Sequence, residues 1–121
     1  MRFMMIVKAT KDYETGCEAN PELAAAMQKY ATELEKKGVL LSVGGLFPSS
    51  QGTKVKVSGQ KVSVIDGPFA ETRELIGGFA ILKTNSREEA IEMGRQFMQI
   101  HADVLGPDYV GEMEVRQMRD Q

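Results

Sequence analysis

The sequence predicts an α+β domain whose elements follow the order β-α-β-β-β-β-α-β. Two segments carry apolar residues at helical spacing behind a capping residue, and six shorter segments either alternate or are apolar throughout. When the hairpin at residues 54–64 is set aside as an insertion, the order becomes β-α-β-β-α-β. This is the split ferredoxin-like unit, in which two helices cover one face of a sheet.

The first half of the chain begins with a strand at residues 2–9 and continues through a polar loop at residues 10–19. Asn20 is a typical N-cap, and Pro21 suits the first position of the helix that follows. Gly38 ends this helix, since glycine readily adopts the conformation that follows a last helical turn. One apolar stripe runs along it, formed by Leu23, Met27, Tyr30 and Leu34.

Three strands are predicted in the middle of the chain. The first covers residues 39–43 and ends at two glycines, and the other two alternate cleanly over residues 53–58 and 61–66. Gly59 and Gln60 lie between the alternating segments. They predict a two-residue hairpin turn with glycine in the first position.

The last part of the chain supplies a strand, a helix and a closing strand. Gly77-Gly78 opens the strand at residues 79–84, and no helix follows it directly, so we expect close packing or a bulge rather than a phosphate-binding loop. Ser86 and Glu89 form a capping box at the start of the second helix. The final strand is predicted at residues 112–118.

The first strand is apolar on both faces, and so is the strand at residues 79–84. In the first strand, one face carries Phe3, Met5 and Val7 and the other carries Met4 and Ile6. Because both helices cover the same face of a ferredoxin-like sheet, the opposite face needs another partner. A second copy of the same sheet is the simplest one, so we expect a homodimer.

The composition is that of a single domain covering residues 1–121. The net charge of −2 gives no basic surplus for nucleic acid, so no nucleic-acid partner is expected. The longest apolar runs are too short to span a membrane, and no signal-peptide pattern is recognised at Met1. Cys17 is the only cysteine, which excludes an intrachain disulfide and favours a cytoplasmic location.

The most informative stretch is residues 66–74, with the sequence Asp-Gly-Pro-Phe-Ala-Glu-Thr-Arg-Glu. A β-branched run leads into it, which places Asp66 at the end of a strand. Gly67 permits a positive φ, and Pro68 fixes the next φ near −65°, so a rigid corner is expected here. Phe69 is the one aromatic residue in this loop.

This stretch resembles the signature of the DGPF family, a branch of the YCII-related proteins, which is usually written DGPFAETKE. Arg73 stands where lysine is usual, which keeps the charge and offers a planar fork for a carboxylate or phosphate. The resemblance covers nearly the whole chain and includes residues 3–8, 36–41, 45–48, 77–79, 88–92 and 112–117. It implies a dimeric α+β barrel made by two ferredoxin-like sheets that face one another.

The chain departs from the family pattern at two places. Many relatives carry a Cys-Pro turn after the second helix, and here residues 99–104 replace it, so a helix one turn longer is expected. The histidine that YCII-related proteins pair with an aspartate is absent from the first helix, so that pair is not carried over. The family has no settled reaction. Its frequent association with operons of extracytoplasmic-function sigma factors implies a regulatory partnership.

Asp66 is the first candidate for a catalytic group, because a carboxylate beside a rigid corner is well placed as a general base. The alternative is that it caps its own turn through an Asx hydrogen bond. His101 is a second candidate, with an acid-base role in a cleft or a packed, hydrogen-bonded place in the core as the two interpretations. As the only histidine, it excludes a histidine metal cluster.

The rest of the signature provides candidate ligand-binding residues, which are Gly67, Pro68, Phe69, Glu71, Arg73 and Glu74. In this interpretation Arg73 holds an anionic molecule while the acidic residues line the mouth of a cleft. The alternative is that these loop charges are only solvated, since exposed ion pairs contribute little. Cys17 has acidic neighbours, which raise the pKa of a thiol and argue against a nucleophile.

Three classes of function follow. The first is an enzyme without metal or organic cofactor, in which Asp66 acts as the base and Arg73 holds a small anionic substrate. The second is a small-molecule-binding dimer that uses the same loop without chemistry. The third is a non-catalytic interaction or regulatory protein, for example one that acts with a sigma factor.

Overall fold

The alternating and apolar segments of the chain form strands, as the sequence predicts. The structure is a computed structural model that describes residues 1–14, 20–70 and 74–120. Within these residues the strands are β1 (Arg2–Lys8), β2 (Leu40–Gly45), β3 (Thr53–Ser58), β4 (Lys61–Asp66), β5 (Ile76–Lys83) and β6 (Met113–Gln117). The helices are α1 (Lys11–Glu14), α2 (Pro21–Lys36) and α3 (Arg87–Leu105), and a 3-10 turn covers Ser49–Gln51. None of the described helices is both long and apolar enough to cross a membrane.

Both long helices begin where their capping residues predict. The side chain of Asn20 accepts hydrogen bonds from the amides of Glu22 and Leu23, at 2.9 and 3.2 Å. The hydroxyl of Ser86 accepts one from the amide of Glu89 at 3.2 Å. These contacts satisfy amides that have no partner inside the helix, and they confirm both predicted caps.

Three local predictions are corrected. Residues 11–14 form the short helix α1 instead of a loop, since the hydroxyl of Thr10 accepts a hydrogen bond from the amide of Tyr13. Residues 15–19 of the predicted loop, including Cys17, lie outside the described residues. The second strand continues through both of its glycines to Gly45. The predicted two-residue hairpin turn is formed with Gly59 first, but Gly59 and Gln60 both have positive φ, 56° and 66°, so the turn is type I′ rather than the type II′ that a leading glycine suggests.

The main sheet has four antiparallel strands in the order β2-β5-β1-β6, which is the ferredoxin-like topology. The β3–β4 hairpin forms a separate two-stranded sheet, as expected of an insertion. The register shifts where Val7 pairs with Gly78 and Lys8 pairs with Ile76. This leaves Gly77 as the extra residue and confirms the predicted bulge.

The core lies between the main sheet and the two long helices. The helices contribute Leu34 and Ala90, and the sheet contributes Phe3, Met5, Ala80 and Leu82. The other face of the sheet, here called the open sheet face, consists of Met4, Ile6, Phe79 and Ile81 at its centre. Met4 pairs with Ile81 and Ile6 with Phe79, so the four side chains form one apolar group.

Tyr30 joins the two long helices. Its hydroxyl donates a hydrogen bond to the side chain of Gln96 at 2.8 Å and also lies 3.3 Å from the carbonyl of Met93. Burial raises the pKa of Tyr30 above its ordinary value of 10.0, and the nearby carboxylates of Glu92 and Glu33 raise it further. The neutral phenol is therefore the form that the folded protein favours.

Candidate functional site

Asp66 is the last residue of β4, at the strand end predicted from the sequence. Its exposed carboxylate accepts a hydrogen bond from the hydroxyl of Thr53, its ladder partner, at 3.1 Å. The predicted Asx bond to its own turn is not formed. Pro68 has no amide hydrogen, and the amide of Phe69 donates to the hydroxyl of Ser49 at 3.1 Å instead. The use of Asp66 as a general base stays a prediction.

Gly67 is required here for a reason that the sequence does not reveal. A Cβ at this position would lie 1.8 Å from the carbonyl oxygen of Ser49, far inside contact distance. The amide of Gly67 donates to the carbonyl of Gly52 at 2.9 Å, which holds the two segments together. The φ of Gly67 is not positive, so the predicted conformational reason is wrong, and the close approach of two backbone segments takes its place. The Gly67–Pro68 peptide is cis.

Ser49 joins three segments of the chain, and we call this group the Ser49 bridge. The Ser49 side chain is buried, and its hydroxyl donates to one carboxylate oxygen of Glu14 in α1. The amide of Ser49 donates to the other oxygen at 2.8 Å. The same hydroxyl accepts the hydrogen bond from Phe69. The Glu14 carboxylate therefore orients the hydroxyl that holds residues 66–70, the described start of the signature loop, in position.

The hairpin of residues 53–66, here called the hairpin arm, has two chemically different faces. The ladder pairs Val55 with Val64 and Val57 with Val62, so these four residues form a valine face. Lys54, Lys56 and Lys61 have the opposite phase and form a lysine face. Thr53 and Asp66 share the phase of the valines.

An open groove lies between the lysine face and the signature loop. It is lined by Lys54, Val55, Lys56, Ile65, Pro68, Phe69 and Ala70. The ammonium of Lys54 lies 4.3 Å from the centre of the Phe69 ring. The groove thus combines positive charge with an aromatic and an aliphatic wall, an arrangement that suits an anion with a flat apolar body.

The structure brings together only part of the predicted site. Pro68 and Phe69 line the groove, whereas Asp66 belongs to the other face of the arm by strand alternation. Glu74 is exposed at the end of the signature loop. Glu71 and Arg73 lie outside the described residues.

His101 lies in α3 and is buried, as the packed interpretation requires. Because a carbonyl can only accept, its Nδ1 donates to the carbonyl of Phe97 at 2.9 Å. Its ring contacts those of Phe97 and Tyr109, with centroid distances of 4.8 and 5.9 Å. Burial raises the pKa of the Tyr109 phenol. These contacts hold the end of α3 in place, and an acid-base role for His101 stays a prediction.

The sequence did not single out Lys54, Ser49 or Glu14. A signal existed for Lys54, because strand alternation places it on the same face as Ile65, beside the loop. Ser49 and Glu14 are 35 residues apart, and nothing local connects them. Among the described residues, no group of three or more His, Cys, Asp or Glu side chains is placed to hold a metal ion.

The chain matches the family model of the YCII-related domain over residues 1–114. This match spans almost the whole sequence, and the protein belongs to the YCII-related family. An uncharacterized protein of Rhizobium meliloti (strain 1021) is 34% identical over 74 residues, which are 61% of this chain and 56% of that relative. The chain therefore matches little more than half of the relative's length.

The chain is also similar to a solved structure. That structure is a 5-chloro-2-hydroxyhydroquinone dehydrochlorinase from Burkholderia phenoliruptrix AC1100, in complex with 2,5-dihydroxybenzoquinone, with a TM-score of 0.45 and 14% identity. The alignment covers 100% of this chain and 96% of that chain. At this TM-score the likeness supports no reaction for this chain, and the fold rests on the sheet topology above.

Proposed function

We propose that this YCII-related protein is a homodimer that binds a small anionic molecule in the groove between the signature loop and the hairpin arm. The observation that carries the proposal is the ammonium of Lys54, 4.3 Å from the centre of the Phe69 ring. Among the described residues, no carboxylate lies within 4.0 Å of this ammonium. A ligand can therefore supply the missing negative charge.

The walls of the groove favour a ligand whose anion is attached to a flat apolar group. Pro68 and Phe69 come from the loop, and Ile65 comes from the arm, so one side of the groove is largely apolar. A second lysine, Lys56, belongs to the same lining. An aromatic carboxylate fits this pattern, because its ring packs on the apolar wall while its oxygens accept from the lysines.

Arg73 strengthens the proposal from the sequence. It follows Phe69 by four residues in the signature, and a guanidinium binds carboxylates through two parallel hydrogen bonds. We expect it to provide a further cation for the same ligand.

The homodimer is supported by the open sheet face. Its four central residues point away from both helices and are only half-buried in a single copy. A two-fold pair in which the sheets face one another would cover this face in both copies at once. This is the dimeric barrel that the family resemblance implies.

A cofactor-free reaction with Asp66 as the general base is the stronger form of the proposal. A base must come within hydrogen-bond reach of the proton it removes, at about 2.6–3.2 Å. Because Asp66 lies on the valine side of the arm, its substrate must approach from that side. Binding in the groove and catalysis by Asp66 are therefore separable claims.

Benzoate is a suitable probe for the groove. We expect it to raise the melting temperature progressively with concentration, as RT ln(1 + [L]/Kd) requires, whereas neutral benzamide should not. Lys54→Met should abolish the shift because it keeps the bulk and removes the charge. Lys61→Met is the matched control, since Lys61 lies at the other end of the lysine face. No benzoate shift at millimolar concentrations, or an equal loss in both variants, would exclude this groove.

Native mass spectrometry of the freshly purified protein tests the dimer and the retained ligand together. A dimer with additional mass supports the whole proposal, and the mass identifies the ligand. A dimer without additional mass supports the homodimer, and the benzoate titration then tests binding in the groove. A monomer over the working concentration range contradicts the dimer.

The interaction or regulatory protein expected as the alternative uses a different surface. The exposed valine face favours it, because such a face is a typical docking surface for another protein. In that case a partner such as a sigma factor should bind equally well to the Lys54→Met variant. It should be lost when the valine face is made charged.

A further inference from the structure

The hairpin arm is amphipathic, although all of it is exposed. The ladder runs without interruption from the Thr53–Asp66 pair to the Ser58–Lys61 pair. Its four valines are 66–69% exposed, and the other residues of β3 and β4 are exposed as well. Strands with apolar residues on one face and charges on the other normally have the apolar face covered. The sequence of the arm is therefore that of a sheet with a covered face.

The arm has no cover from its own chain in the described structure. It forms a sheet of its own, apart from the four-stranded sheet. A two-stranded hairpin alone is marginally stable in water, and four adjacent exposed valines add an apolar patch. Another surface is needed to bury them.

We propose that the valine face packs against a second copy of this chain, so that the arm is part of the homodimer interface. This inference rests on the proposed homodimer and adds the surface that forms it. An arm of six-residue strands is about 20 Å long, so its valine face offers an extended surface. The open sheet face and the half-exposed Leu41 of β2 are apolar surfaces that the second copy brings.

The areas favour a second copy over a short peptide. A fully exposed side chain of this kind carries about 60–120 Å² of apolar surface, so four valines at two-thirds exposure offer about 160–320 Å². A stable interface buries about 800 Å² on each partner. The valine face alone is too small, but a two-fold pair uses both arms and both open sheet faces. Each copy then contributes its valine face and its open sheet face to the same interface.

One consequence concerns Asp66. It shares the valine side of the arm with Thr53, at the base of the ladder. The second copy would therefore cover the side of the arm to which Asp66 belongs, while the groove of Lys54 and Phe69 stays open on the other side. In this arrangement the surroundings of Asp66 are completed by the partner.

The test is the dimer dissociation constant, measured by sedimentation velocity over a concentration series. The variant Val57→Glu/Val62→Glu places two charges on the valine face, and Ser58→Glu/Ser63→Glu places the same charges on the lysine face. We expect the first variant to weaken the dimer by on the order of 100-fold, since unpaired carboxylates are costly to bury, and the second to leave it nearly unchanged. Equal dissociation constants in the wild type and the valine-face variant would overturn the inference.

Two further measurements separate the outcomes. If circular dichroism shows that the glutamate variant does not fold, Val57→Thr/Val62→Thr keeps the branched shape and should still weaken the dimer about tenfold. If the wild type is a dimer and the threonine variant has the same dissociation constant, the arm contact is rejected and the proposed dimer is not. A monomeric wild type rejects both the arm contact and the proposed dimer, whatever benzoate does. A dimer without a benzoate response rejects only the groove.

Discussion

Gly67→Ala tests whether the signature loop is held by the close approach of two backbone segments. The added Cβ would lie 1.8 Å from the carbonyl oxygen of Ser49 and 2.8 Å from its carbonyl carbon. Ordinary C···O contacts are about 3.3 Å or longer, so one segment must move by about 1.5 Å. Both atoms belong to the backbone, and no side-chain rotation can relieve the overlap.

The expected cost follows from the contacts that such a movement breaks. The hydrogen bonds from Gly67 to Gly52, at 2.9 Å, and from Phe69 to Ser49, at 3.1 Å, would both exceed bonding distance. Each contributes about 0.5–1.5 kcal/mol, and overpacking typically costs about 1–3 kcal/mol. We therefore expect the free energy of unfolding to fall by about 2–6 kcal/mol.

Urea unfolding of the wild type and the variant measures this difference, with the m-value reporting whether the two-state transition is retained. Gly45→Ala is the matched control, because its Cβ would meet only the carbonyl oxygen of Gly77 at 4.0 Å. Its effect should remain within about 0.5 kcal/mol. A Gly67→Ala loss below about 1 kcal/mol would show that the loop yields freely, and the argument for a rigid loop would fail.

Three further predictions concern neighbouring groups. Ser49→Ala removes the hydroxyl that hydrogen-bonds to both Phe69 and Glu14, and should lower the free energy of unfolding in urea by about 1.5–3 kcal/mol. A loss below about 0.5 kcal/mol would contradict the Ser49 bridge. Asp66→Asn keeps an acceptor for Thr53, so its stability should stay within about 0.5 kcal/mol, and a loss above about 1 kcal/mol would indicate a structural need for the charge. Burial raises the pKa of Tyr30 in the folded state, so the folded protein keeps this proton to higher pH than the unfolded chain does. The stability that the neutral Tyr30 phenol contributes is present below pH 10 and is lost as the pH rises through the pKa of the folded state. In thermal unfolding, the wild type should therefore lose more stability than Tyr30→Phe between pH 9 and 11.

The parts of the fold that the sequence predicts correctly depend on local chemistry. Asn20 and Ser86 cap their helices through amides two or three residues away, so the signal and its partner lie in one short window. The bounds of β3 and β4 follow from alternation and a tight turn. The topology follows because a ferredoxin-like order leaves few alternatives once the hairpin is set aside.

The site is harder to predict because its contacts are long-range. Gly67 is prominent in the sequence, but the atom that excludes a side chain there belongs to Ser49, 18 residues earlier. The carboxylate that orients Ser49 is 35 residues away, in a helix that the composition does not indicate. A loop motif therefore identifies which residues matter without showing what they contact.

The geometry of the arm also limits how the signature residues can work together. Asp66 and the groove residue Lys54 lie at the same end of the arm, but alternation assigns them to opposite faces. A molecule bound against Lys54 and Phe69 is therefore separated from the Asp66 carboxylate by the arm itself. For Asp66 to act on an anionic substrate, a cation is needed on the valine side, which Lys54 and Lys56 do not supply. If the arm packs against a second copy and that copy supplies the cation, catalysis by Asp66 would depend on the dimer. Binding in the groove would not depend on the dimer. If Asp66 is catalytic, dilution below the dimer dissociation constant should therefore abolish turnover while benzoate binding persists.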